Sequence, residues 1–199
     1  NPNKPIRFYG LYGDLLYSYT EKEFSELGGL PPLPEYRGLI CQGWNWTAEN
    51  ILAGGSEVEV GSLFITDDGS TRIYVELVEE TLNPKIGFRQ MEANSVEVDW
   101  GDGSPLETSD IVGEDTMVSI EHQYSKPGSY VIRLIPRDDA EFTFLGDSYS
   151  TRILHKDPDY NHANKAYGST IRKIELGKGR IARGPFDGRR ARDDAGVTH

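Results

Sequence analysis

Val96–Gly103 reads V-E-V-D-W-G-D-G, and His122–Leu134 reads H-Q-Y-S-K-P-G-S-Y-V-I-R-L. In the first stretch Val96, Val98 and Trp100 fall on one face of an extended chain and Glu97 and Asp99 on the other. That period of two is the mark of a half-buried strand. Gly101-Asp102-Gly103 then breaks the strand with residues that tolerate positive φ, as tight turns require. Leading into the second stretch, Val118, Ile120, His122 and Tyr124 share one parity. Pro127-Gly128 supplies a turn, and Tyr130, Ile132 and Leu134 resume the inward face. Short strands with turn signals every few residues predict a β-sandwich or barrel.

These two motifs, in this order, resemble the polycystic-kidney-disease (PKD) domain, an immunoglobulin-like β-sandwich. The matching residues are Asp99, Trp100, Gly101, Asp102, Gly103, His122, Tyr124, Pro127, Gly128 and Tyr130. In that family such residues mostly build the fold, so the resemblance implies architecture more than activity. It extends over residues 66–146, with less distinctive strands at Thr71–Val78 and Lys85–Met91, and the sandwich is expected to occupy 61–146.

Residues 1–60 read differently. Ile6–Tyr9 and Leu15–Tyr19 are strand-like and Gly13-Asp14 is a turn signal. Thr20-Glu21-Lys22-Glu23 is a capping box, in which threonine starts a helix and Glu23 reaches back to it. Phe24 and Leu27 give that helix an apolar edge, and Gly28-Gly29 stops it. Leu30-Pro31-Pro32-Leu33-Pro34 is held extended by its prolines. Thr47 starts a second short helix, Ala48–Ala53, closed by Gly54-Gly55. The expected fold class is therefore mainly β: a PKD-like sandwich preceded by a small α+β unit. The order of strand, Asp-containing turn, strand, short helix, proline-bracketed linker and then Gly43-Trp44 resembles the β-grasp-like B repeats of internalins. Asp14, Leu15–Thr20, Leu30-Pro31, Gly38-Leu39 and Gln42–Thr47 resemble a segment that precedes PKD-like domains and leucine-rich repeats in surface and phage proteins of gut Firmicutes.

Ile171–Gly177 is similar to the strand that opens a leucine-rich repeat, but Arg189–His199 is charged and nearly free of leucine. One repeat cannot bury a solenoid core. The expectation is a loop over 147–170, a strand at 171–177 added to the sandwich, and a basic, partly disordered tail over 178–199.

The 199 residues carry a net charge of −11, which disfavours nucleic acid as a general partner because phosphates are repelled. No apolar run is long enough to span a membrane. The single cysteine, Cys41, has no partner for an internal disulfide, and its apolar neighbours predict a buried, inert thiol.

Candidate site residues divide into two groups. The acidic turns at Asp67-Asp68 and Asp99/Asp102 are read as structural corners, with calcium as the cation their oxygens would suit. No full calcium-loop spacing is present, so no cofactor is expected beyond that candidate. Trp44 and Trp46 share a face in an extended segment. They are a candidate sugar-stacking platform, set against the simpler reading that such rings anchor a small core. His155 and His162 flank Asp157 and Asp159 in a polar stretch that suits a connection better than a metal site. His122 is expected to sit at the core edge and hydrogen-bond a turn. No nucleophile elbow or oxyanion-type glycine motif appears.

The expected function is non-enzymatic: a displayed module serving adhesion, host attachment or particle assembly, located outside a cell, on its surface or in a virion. Its partner would be a protein or glycan on a cell surface, or a neighbouring subunit. The alternative is a carbohydrate-binding accessory module of a polysaccharide-active enzyme.

Overall fold

A computed structural model describes residues 4–55, 57–109, 113–144, 153–156 and 162–179, with 162–164 described in backbone only. The chain is mainly β and divides into two compact units, Asn1–Asp68 and Gly69–His199. The division falls after Asp68 rather than at residue 60. A strand runs through the expected boundary and is paired along its length within the first unit.

In that unit β1 (Pro5–Tyr9) pairs antiparallel with β2 (Leu15–Thr20), which leads directly into α1 (Glu21–Leu27). The capping box forms as its sequence implies. Thr20 Oγ1 accepts from Glu23 N at 3.3 Å, and Glu23 Oε2 accepts from Thr20 N at 2.7 Å. Gly28 ends the helix at φ 70°, a conformation glycine adopts without a Cβ penalty. β3 (Leu39–Trp44), α2 (Ala48–Ala53) and β4 (Val58–Thr66) complete a sheet of order β2-β1-β4-β3. The β1–β4 pair is parallel, with Ile6 opposite Val58 and Phe8 opposite Val60. The far half of β4 pairs antiparallel with β3.

Alternation places Ile6 and Phe8 inward, where they meet Phe24, Trp44, Ile51, Val58 and Val60 in one core. Full burial of each large apolar side chain contributes about 1.5–3 kcal/mol. Phe8 is the hub, with the rings of Trp44 at 4.9 Å, Phe24 at 5.9 Å and Tyr19 at 6.0 Å. Lys4 is buried beside this core. Its ammonium donates to the carbonyls of Ile51, Leu52 and Gly54 at 2.9, 3.3 and 2.7 Å. These carbonyls lie at the negative end of α2, a helix with no basic residue in its own last turn.

The second unit opens with β5 (Thr71–Leu77), a 3₁₀ turn at Glu79–Thr81, β6 (Lys85–Gln90) and β7 (Val96–Asp99). It continues with β8 (Thr116–Glu121), β9 (Gly128–Pro136), β10 (Phe142–Thr143), β11 (Leu154–His155), α3 (His162–Gly168) and β12 (Ile171–Glu175). One antiparallel sheet has the order β12-β5-β9-β7. In the other, β6 pairs with β8, β10 and β11. Both sheets feed one core: Ile73, Val75, Val98, Ile132 and Leu134 from the first, and Ile86, Phe88, Val118 and Phe142 from the second.

Residues 147–170 are not simply a loop. Leu154 and His155 pair with Ile86 and Lys85, and α3 follows. Burial of Leu154 and of Tyr167 gives that segment its own anchors in the core. Ile171–Glu175 forms the edge strand beside β5. The basic tail lies outside the described residues from Arg180 onward, as do Asp157 and Asp159.

Candidate functional site

The V-E-V-D-W-G-D-G stretch folds into a polar corner built around a buried indole. Trp100 is fully buried. Its Nε1 donates to Glu107 Oε2 at 2.9 Å, and Glu107 in turn forms a backbone bridge with Val98. The Tyr124 hydroxyl donates to the Trp100 carbonyl at 2.8 Å. Burial and then the charge of Asp102 push the Tyr124 phenol upward, so it stays a donor. His122 stacks flat on Trp100, 4.8 Å between ring centres, and stands edge-on to Tyr124.

The carboxylates of this corner are occupied by protein donors. Asp99 accepts from Gly101 N at 2.8 Å and pairs with Arg133. Asp102 accepts from Ser104 N at 3.0 Å and lies 2.8 Å from His122 Nε2. Desolvation by itself would raise the Asp102 pKa. The hydrogen bonds from Ser104 and His122 outweigh it and hold the carboxyl at about 2. Each aspartate thus closes a turn on the backbone two residues ahead, which is what short acidic side chains do well. Gly101 sits at φ 75° with its Cα against strand β9, where a Cβ would lie 2.4 Å from the Val131 carbonyl oxygen.

Asp67 and Asp68 follow β4 at the end of the first unit, where Asp67 N donates to Gly38 O at 3.0 Å. Among the described residues no group of three or more His, Cys, Asp or Glu side chains could hold a metal ion. His155 is buried at the end of β11, its Nε2 3.1 Å from Ser119 Oγ. Among the described residues no helix is long and apolar enough to cross a membrane.

The two tryptophans of the first unit do not form a shared platform. Trp44 is buried against Phe8 and donates its indole N–H to the Pro31 carbonyl at 3.0 Å. Asn45 ends the strand by exchanging two bonds with Gly61, both 2.9 Å, and the chain turns into α2. Trp46 is therefore carried away from Trp44 and is 38% exposed. Cys41 is half-buried rather than buried, because β3 is the edge strand of its sheet.

A charged row that the sequence does not announce crosses the β12-β5-β9-β7 sheet. Glu175 lies opposite Arg72, Arg72 opposite Arg133, and Arg133 opposite Asp99. Arg72 and Tyr74 reach Glu175 at 3.2 and 3.1 Å, and Lys173 reaches it at 2.6 Å. Desolvation opposes ionisation of Glu175, but the bonds from Lys173, Tyr74 and Arg72 lower its pKa. The row is formed by residues far apart in the chain, so only the strand register could have revealed it.

No family model, curated protein or solved structure matches the chain.

Proposed function

We propose that the chain is a non-enzymatic module displayed outside a cell, at its surface or on a virion, where it serves adhesion, host attachment or assembly. The observation that supports this reading most is the modular order. A compact unit with a mixed sheet is followed by a compact unit whose two antiparallel sheets share one core. The second unit is read as a PKD-like, immunoglobulin-like sandwich, with the Asp99–Gly103 turn as its corner. The first is read as β-grasp-like, supported by the order β2-β1-β4-β3, its parallel central pair and its two short helices. The corner's aspartates serve as struts in this reading, since their oxygens meet Arg133, His122 and backbone N–H groups.

Mass spectrometry of purified virions and of peptides shaved from intact source cells tests the proposal. Peptides of this chain are expected in one of those fractions. Recovery from the cell interior alone would reject it. A second reading, an accessory carbohydrate-binding module, draws support from the exposed rings of Tyr12 and Trp46 in the first unit. Glycan-array binding by the purified chain tests that reading.

A further inference from the structure

The turn between β1 and β2 carries a polar and aromatic constellation that is separate from the corner described above. Gly10 N donates to Asp14 O at 2.9 Å, and Gly13 N donates to Gly10 O at 3.1 Å. Gly13, at φ 79°, permits this tight geometry. The turn holds Asp14 beside Gly10, and the extended segment after Pro34 brings Tyr36 to the same place. A Cβ on Gly10 would lie 2.3 Å from Tyr36 Oη and 2.7 and 2.9 Å from the two Asp14 carboxylate oxygens. A hydroxyl and a carboxylate thus converge over the one residue whose missing side chain leaves room for them.

The two groups are held but not consumed. Tyr36 Oη accepts from Leu11 N at 3.2 Å, which leaves its own proton to donate. Among the described residues no hydrogen bond reaches the Asp14 carboxylate, and Asp14 is exposed. Beside them stands Tyr12, 66% exposed, the highest value among the exposed large apolar side chains of the described residues. Its ring packs edge-to-face on Tyr36 at 5.6 Å, and Tyr36 packs on Phe64 at 5.1 Å. That stair of rings fixes Tyr12 from behind, so an exposed aromatic surface is presented with little conformational freedom left to lose on binding.

We propose that Tyr12, Asp14 and Tyr36 form a binding site for a neutral pyranose. A sugar ring has an apolar C–H face that suits an aromatic surface. It also has adjacent hydroxyls that suit a carboxylate acceptor and a phenol able both to donate and to accept. The charge of the unit selects among glycans. Residues 1–68 hold four Lys/Arg against ten Asp/Glu, so sulfated, phosphorylated and uronic-acid polymers are repelled. The inference rests on the reading of the chain as a module that binds an external partner, and it names the ligand class and the place.

The test is titration of the full chain with methyl glycosides of glucose, galactose, mannose and N-acetylglucosamine, followed by NMR. Hyaluronan serves as an acidic comparator. At least one neutral glycoside is expected to bind at millimolar concentration and to shift the signals of Tyr12 and Tyr36, while hyaluronan does not. Tyr12→Ala, which removes the stacking surface, and Asp14→Asn, which removes the charged acceptor, should each weaken binding about tenfold. Trp46→Ala should leave binding unchanged. Melting curves identify any variant that fails to fold, and Tyr36→Phe, which keeps the ring and removes the hydroxyl, then stands in for it. Absence of binding by all four glycosides, or undiminished binding in folded Tyr12→Ala and Asp14→Asn, overturns the site. Since display is tested by mass spectrometry of virions and shaved cells, loss of this site would leave that reading standing.

Discussion

The Asp102 carboxylate shows how a side chain that looks like a ligand can be a strut. Its pKa in the folded chain lies at about 2, below the ordinary 3.8, so ionised Asp102 is bound better by the native state than by the unfolded chain. The stability it contributes is present above the unfolded value and is lost as pH falls from 3.8 toward about 2. Asp102→Asn should cost on the order of 1 kcal/mol at neutral pH, the value for a partly screened hydrogen bond to a charged group. It should also flatten the acid limb of the stability curve. Urea denaturation at several pH values between 2 and 5 reads this directly, and an unchanged slope would contradict the assignment.

At the scale of the element, two glycines of one turn separate two physical effects. Gly101 and Gly103 both lie at positive φ, 75° and 90°. Only at Gly101 would a Cβ collide with backbone, while at Gly103 nothing lies within 4 Å. Gly103→Ala should cost about 1 kcal/mol, the backbone penalty of an L residue in that region. Gly101→Ala should cost clearly more, because strand β9 must move or the turn must open. Equal losses for the two variants in thermal unfolding would show that the contact with Val131 is unimportant. What could be read in the sequence divides along the same line. The capping box of Thr20 with Glu23 and the acidic turn at Asp99–Gly103 were legible because their partners lie within four residues. The Lys4 contacts with the end of α2 and the approach of Tyr36 to Gly10 were not, since each joins segments that meet only after folding. The same holds for the Glu175–Arg72–Arg133–Asp99 row. The strand β11 and the helix α3 within 147–170 were missed because their few buried residues are set in a polar stretch.

Across the whole chain, the three tryptophans report on different places. Trp44 is buried in the first unit, Trp100 is buried in the second, and Trp46 is open to solvent. Trp46→Phe should therefore remove most of the fluorescence that acrylamide quenches in the native protein, and should change stability by less than about 0.5 kcal/mol. Persistence of the quenchable fraction in that variant would place one of the other indoles at the surface.

Strand β4 has an implication for the order in which the first unit forms. Its far half meets β3 through the nearby connection that carries α2, but its near half must find β1 across about fifty residues, with Ile6 beside Val58. Closing a loop of that length costs entropy before any contact is gained, whereas β1–β2 and α1 can assemble locally. The parallel pair is thus the last seam to close. On a ribosome, the hairpin that carries Phe8 waits without its Val58 and Val60 partners until Val58–Thr66 has been made.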